Sequence, residues 1–243
     1  MKPFLLILLV ACAKPAGGPL SHTFDNTSIA QVSLESKQAV AQAQQQHDLA
    51  LLQHARAEDA YRNSEVEQEV AEYQAEQTML VSQLVGSRRS EKAEVNADTA
   101  ALARKTCAAK VEFTRARRDW LARLSSSTFY AVYATQARLE LERARVAQTN
   151  NLAPAGFDLA AFQQQLDQRE RAAHDAAADT ERERQTAGAR LTAWNELERG
   201  FMQASGMKGP SESDRAVIEW KQADATARAP AGDPAAAIPP AKP

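Results

Sequence analysis

The residue types that usually carry out chemistry are sparse in this chain and poorly spaced. It holds four histidines, and the nearest two, His47 and His54, are seven residues apart, about two turns along one helix face. That interval is too long for both imidazoles to bind one metal ion directly, and neither Cys-x-x-Cys nor His-Glu-x-x-His occurs. The serines at 125–127 lack the flanking glycines of a nucleophile elbow. We therefore expect no catalytic residue, no metal site and no cofactor.

One of the two cysteines, Cys12, directly follows an apolar run at positions 4–10, which is preceded by Lys2. A short cationic region followed by an apolar run is the layout of a secretory signal. The run is too short to cross a bilayer, which needs about 20 apolar residues. Its end, Leu9-Val10-Ala11-Cys12, resembles the lipobox of bacterial lipoproteins. The resemblance implies a signal peptide at 1–11, cleavage before Cys12, and lipidation of Cys12 with acyl chains such as palmitate.

The same resemblance implies a destination. In Gram-negative lipoproteins an aspartate after the cysteine favours the inner membrane, whereas this chain has Ala13. The expected site is the outer membrane, facing the periplasm, with the cell surface as the alternative. Each buried methylene of an acyl chain contributes about 0.8 kcal/mol, so several chains anchor stably. With Cys12 lipidated, Cys107 has no partner within the chain, and it is either a small residue in a helix interface or one half of an intermolecular disulfide.

The composition predicts an all-α protein. Between positions 21 and 153 there is no proline, and Gly86 is the only glycine. Both residues are unfavourable inside helices, so a long stretch without them, rich in Ala, Gln, Glu and Arg, favours helix. Aromatic residues make up only 6% of the chain, and many apolar residues are alanines. Small side chains suit thin, elongated packing of helices.

Local signals divide the chain into segments. Residues 12–24, with two prolines and two glycines, predict a flexible tether, and 229–243 predicts a disordered tail rich in proline and alanine. Asp25 and Asp158 each follow a phenylalanine, as helix-capping residues with a hydrophobic staple do. Loops are expected around Asn150–Gly156 and Gly206–Pro210, with Ser211 capping a short last helix. The helical domain 25–228 then holds helices at about 25–85, 90–149, 158–205 and 211–228.

Charge predicts how the two long helices pack. Residues 26–85 carry three basic and nine acidic side chains, whereas residues 88–148 carry thirteen basic and seven acidic ones. Opposite charge on segments of equal length favours an antiparallel hairpin that turns near Gly86, with facing positions that add up to about 174, such as Val66 and Ala108. A single continuous helix over 25–149 is the alternative. The acidic segment 158–200 would complete an elongated, coiled-coil-like three-helix bundle.

An apolar stripe with alternating spacings of four and three residues runs along each long helix. In the first helix we expect the following residues to form the packed interface: Val66, Val70, Tyr73, Leu80 and Leu84. In the second helix the corresponding residues are Val95, Thr99, Leu102, Thr106, Ala109, Phe113, Ala116 and Trp120. Between Leu52 and Val66 the first stripe is interrupted by polar residues, so we expect a partly exposed middle.

These features favour a scaffold or accessory component that binds other envelope proteins. An arginine-rich run at 115–118 lies beside Trp120, but an exported chain with acidic helices of its own is not expected to bind nucleic acid. The residues expected to form either the thickest part of the core or a partner contact are Trp120, Phe129, Tyr130 and Tyr133. A periplasmic spacer that reaches the cell wall and a hydrolase with an unrecognised site are the alternatives. Whether the chain forms a homo-oligomer stays open.

Overall fold

The computed structural model describes residues 23–86 and 91–228, with side chains at 23–83 and 97–223. Every regular element in these residues is a helix, namely α1 (Gln38–Gly86), α2 (Glu91–Thr149), α3 (Leu159–Ser205) and α4 (Glu212–Arg228). The prediction of an all-α bundle is therefore confirmed. The expected signal peptide at 1–11, Cys12, nearly all of the expected tether, positions 87–90 and the expected tail at 229–243 lie outside the described residues.

Helices α1 and α2 run antiparallel. The imidazole Nδ1 of His47 lies 3.2 Å from Thr135 Oγ1, and Thr78 Oγ1 lies 3.4 Å from Cys107 Sγ. A continuous helix could not bring such distant positions together, so the hairpin prediction is confirmed. The predicted register is wrong, because the position numbers of these pairs add up to 182 and 185, and Val66 is exposed.

Helix α2 is the central element of the bundle. It packs along both α1 and α3. Helix α3 runs antiparallel to it, because Thr180 Oγ1 donates to the Arg123 carbonyl oxygen and Thr106 Oγ1 donates to that of Leu197. The short helix α4 packs on α3 and reaches α2 through Trp220. The chain therefore folds as a three-helix bundle with a fourth, short helix laid on it.

Charged side chains link the basic central helix to its acidic neighbours, as the sequence predicted. Arg117 pairs with Glu67 of α1, and Arg115 pairs with Glu72 of the same helix at 3.4 Å. On the other side, Arg138 pairs with Glu170 of α3. Exposed pairs of this kind each contribute less than about 1 kcal/mol, so they set which helices neighbour each other more than they stabilise the fold.

Helix α1 meets the bundle through small side chains. The residues that face inward alternate in spacing between three and four, as in a coiled coil. They are all buried or half-buried: Val40, Ala43, His47, Ala50, His54, Ala57, Tyr61, Ser64, Gln68, Ala71, Ala75, Thr78 and Ser82. Fully buried positions recur every seventh residue from Ala43 to Ala71, and each carries Ala or Ser. Small residues at this interval let the α1 backbone lie close to α2.

The first helix begins thirteen residues later than predicted. Asp25 does act as a cap, since its carboxylate accepts hydrogen bonds from the backbone N–H and the hydroxyl of Ser28, but the chain then forms turns. The hydroxyl of Ser33 accepts from the N–H of Ser36, and Lys37 Nζ donates to the Ala30 carbonyl oxygen at 2.7 Å. Such local side-chain bonds compete with helix hydrogen bonds, so the helix starts only at Gln38.

The later helix boundaries follow the predicted caps. Asp158 accepts from the Ala160 N–H, and the rings of Phe157 and Phe162 lie 5.5 Å apart as a hydrophobic staple. Asn151 and Gly206, with φ of 56° and 70°, adopt the left-handed conformation that ends α2 and α3. The two predicted loops are therefore confirmed, and α3 spans nearly the predicted range.

The core is divided into an end cluster and two clusters under α4. At one end Phe24 and Ile29 of the turn segment pack with residues of α2 and with Phe162. Farther along the bundle, Trp120 and Ala187 pack with Tyr61 of α1. The predicted exposed middle of α1 is therefore wrong, because α1 contributes a different face, on which Ala57 and Ser64 are buried.

Candidate interaction surface

Trp120, predicted as a partner contact or a core residue, belongs to the core. Its side chain is only 2% exposed, and its ring centroid lies 4.8 Å from that of Trp220 in α4. Leu121 and Ala187 complete the surrounding cluster. Trp120 is therefore covered within the chain, and its assignment to a partner contact is wrong.

A cluster of polar side chains holds α4 against α3. Both oxygens of the Glu198 carboxylate accept backbone hydrogen bonds, from the N–H groups of Glu212 and Ser213. Ser211 caps the helix as predicted, since its hydroxyl accepts from the Asp214 N–H at 2.9 Å. Together these bonds satisfy the donors that a helix leaves free at its start.

The side chain of Asp214 adds to the same cluster. Its carboxylate accepts from Asn195 Nδ2 at 3.0 Å and from Arg199 at 2.8 Å. Hydrogen bonds from Asn195 and from Arg199 hold the pKa of Asp214 well below its ordinary value. Asn195 also donates to the buried hydroxyl of Ser213 at 2.9 Å. The polar groups gathered here are engaged in fixing a helix terminus, so we interpret the cluster as structural.

The remaining three predicted contact residues lie together but are not covered. Phe129, Tyr130 and Tyr133 are each half-buried, and the Phe129 ring lies 4.7 Å from that of Tyr133. Phe129 also contacts His54 of α1, while the guanidinium of Arg169 in α3 stacks 5.0 Å from the Tyr133 ring. This aromatic patch touches both neighbouring helices and still presents part of its surface to solvent.

A second apolar surface, which sequence reasoning misplaced, lies on the outer face of α1. Four of the five residues that we expected to form the packed interface are between 49% and 61% exposed; we call them the α1 stripe, namely Val66, Val70, Tyr73 and Leu80. The fifth, Leu84, lies outside the residues whose side chains are described. Each of the four lies two residues beyond an inward position, and two residues are about 200° around a helix. The predicted interface and the observed one are therefore on opposite sides of α1. The repeat of Ala and Ser from Ala43 to Ala71 was the signal that could have identified the inward face.

The two histidines of α1 serve as hydrogen-bonding partners. His47 and His54 each place Nδ1 3.2 Å from a threonine hydroxyl of α2. Across the described residues, no three side chains of His, Cys, Asp or Glu gather as metal ligands would. The same part of the chain contains no helix with the length and apolar character needed to cross a bilayer.

No protein-family model, curated protein or solved structure matches this chain significantly.

Proposed function

We propose that this protein is a lipid-anchored helical scaffold or accessory component that binds other proteins of the bacterial envelope. The observation that supports binding is the α1 stripe, where four large apolar side chains stand in solvent on one helix face. Contiguous exposed apolar surface is a common mark of protein interaction sites. The half-buried aromatic patch at Phe129, Tyr130 and Tyr133 offers a second contact.

The proposed anchor is lipid on Cys12, after removal of residues 1–11. It rests on the lipobox-like sequence, and it would tether the bundle to the outer membrane on its periplasmic side. Between Cys12 and the first core residue, Phe24, lie eleven residues, enough to hold the bundle away from the membrane surface.

A spacer that reaches towards the cell wall is the second candidate. The length of α2, 59 residues, favours it, because a helix of that length spans about 90 Å at 1.5 Å per residue. A spacer needs length alone, whereas a scaffold needs a specific surface. The exposed apolar face of α1 therefore favours the scaffold.

In-cell photo-crosslinking tests the binding proposal. A photoreactive amino acid is placed at Val70, at Tyr130, and at the exposed control position Asp175 of α3. We expect discrete crosslinked products from the first two positions and not from the control. Equal or absent crosslinking at all three positions would contradict the scaffold and leave the spacer favoured.

Cell fractionation tests the anchor separately. We expect the wild type to incorporate labelled acyl chains and to sediment with outer membranes, and the Cys12→Ser variant to do neither. A variant that stays as membrane-bound as the wild type, with no label in the wild type, would show that Cys12 is not the anchor.

A further inference from the structure

We propose that the α1 stripe binds an amphipathic helix of another protein, whose apolar face is flanked by lysine or arginine residues. This inference rests on the proposed binding function and names the chemistry of the partner. It follows from the spacing of the stripe, from the charges along its two edges, and from the lack of a suitable occupant within the chain itself.

The spacing of the stripe suits a helical partner. Val66, Val70, Tyr73, position 77 and Leu80 follow alternating intervals of four and three residues. This is the interval at which one helix presents side chains to another in a coiled coil. The exposed side chain of Val81 widens the stripe towards the end of α1. A second helix lying along this face would cover the stripe over about four turns.

The two edges of the stripe differ in charge. On one edge Glu69 and Glu76 directly precede the stripe positions 70 and 77, and both are exposed. Neither forms an ion pair within the part of the chain that the structure describes. On the other edge Glu67 pairs with Arg117, and Gln74 accepts a hydrogen bond from Lys110. The open acidic edge is therefore a place where basic residues of a partner helix can pair.

A second copy of this chain is a poor occupant. Positions 63–86 hold five glutamates and no lysine or arginine. Two copies packed through their stripes, parallel or antiparallel, would bring these glutamates together, and like charges at such positions are destabilising. Anionic lipid surfaces are disfavoured for the same reason.

The terminal segments of the chain are also poor occupants. After Cys12, the segments at 13–22 and 229–243 offer only Leu20 and Ile238 as large apolar residues. Four large side chains in the stripe need a matching series of apolar residues, which neither segment supplies. The occupant that the observations favour is therefore a basic amphipathic helix from another protein.

Two synthetic helical peptides provide the direct test with the full chain in detergent. Both carry leucine at the heptad interface positions, and they differ only in lysine or glutamate at the flanking positions. We expect the lysine peptide to bind about tenfold more tightly by fluorescence anisotropy, from several exposed ion pairs acting together. The double variant Glu69→Lys/Glu76→Lys should reverse the preference. The matched variant Asp175→Lys/Glu196→Lys, with the same change in net charge on exposed sites of α3, should leave it unchanged.

Equal binding of the two peptides, or no reversal in the double variant, would overturn the proposal. So would a dimer in sedimentation experiments that Val70→Ser dissociates, because the second copy would then be the occupant. In cells, the partner segment crosslinked to position 70 should carry lysine or arginine next to apolar residues at heptad spacing. The double variant Glu69→Lys/Glu76→Lys should weaken this crosslink. Crosslinks that form only at Tyr130 would overturn this inference and still support the scaffold.

Discussion

Helices α1 and α2 carry apolar stripes with the same spacing of residues, but the stripe of α2 is buried and that of α1 is exposed. In α2, the stripe ends on Phe113 and Trp120, and both are buried as predicted. In α1, Val66, Tyr73 and Leu80 lie in solvent. The same rule of spacing and hydrophobicity therefore identifies the packed face of one helix and the open face of the other.

The difference follows from the position of each helix in the bundle. Helix α2 lies between its neighbours and is covered on several sides, so its large side chains find cover within the chain. Helix α1 packs along α2 and meets it mainly on one face. Interfaces fill space best when large residues on one side meet small residues on the other. Helix α2 carries large buried side chains such as Leu121 and Leu141, whereas the fully buried positions of α1 from Ala43 to Ala71 carry only Ala and Ser.

We expect the largest loss of folding stability when a large buried side chain is removed from α2. Trp120→Ala should lower the free energy of unfolding by about 3–5 kcal/mol, because it leaves a cavity in a buried cluster. Urea denaturation followed by circular dichroism measures it. Tyr73→Ala, which removes an aromatic ring from the open face of α1, is the matched control and should change stability by less than about 0.5 kcal/mol. If the two variants lost similar amounts of stability, the buried face of α2 and the exposed face of α1 would not differ in what they contribute to folding.

We expect a smaller loss of folding stability when a buried alanine of α1 is replaced by a larger residue. Ala57→Leu and Ala71→Leu should each cost about 1–3 kcal/mol, because the added side chain has no space between α1 and its neighbours. Ala55→Leu, on an exposed position of the same helix, should be nearly neutral. If the three variants unfold at the same urea concentration, the alanines do not set the distance between the helices.

Particular residues show how much of this fold the sequence could predict. Asp158, Gly206 and Ser211 act through bonds to residues nearby in the chain, so their sequence context predicted the helix ends. The partners of α1 are distant in sequence, and its inward face depends on what α2 presents. The more hydrophobic face of α1 was therefore the wrong one to predict as its packed face. Phe129, Tyr130 and Tyr133 do lie together, but Trp120 belongs to a separate cluster, and its burial depends on Trp220, about a hundred residues away.

Acid should weaken the hydrogen bonds that Asp25 accepts in the turn segment and that Asp214 accepts at the start of α4. The pKa of Asp25 is lowered from its ordinary value of 3.8 to about 2 by hydrogen bonds from Ser28, and that of Asp214 is lowered by Asn195 and Arg199. A depressed pKa in the folded state contributes stability above the ordinary value, which is lost as the pH falls through the lowered one. Below pH 4 the cap of α4 should therefore weaken progressively.

Tryptophan fluorescence follows this change, because Trp220 of α4 packs on Trp120. We expect a shift to longer wavelength as the pH falls below 4, with far-ultraviolet circular dichroism largely retained. Asp214→Ala should show the shifted spectrum already at neutral pH. A spectrum that depends on pH equally in the variant and in the wild type would assign the transition to other groups.

The smallest effect on stability is expected on the α1 stripe itself. Valine and serine have similar helix propensities, so Val66→Ser and Val70→Ser change the outer surface of α1 with little effect on the helix. Each should alter the free energy of unfolding by less than about 0.5 kcal/mol, because both side chains are already in solvent. A photoreactive amino acid placed at Leu80 should form crosslinks in cells, and both variants should lose them. A loss of stability near 2 kcal/mol would mean that the purified protein already covers this face. Unchanged stability together with lost crosslinks would mean that the large apolar residues of α1 bind a partner, whereas its alanines pack within the bundle.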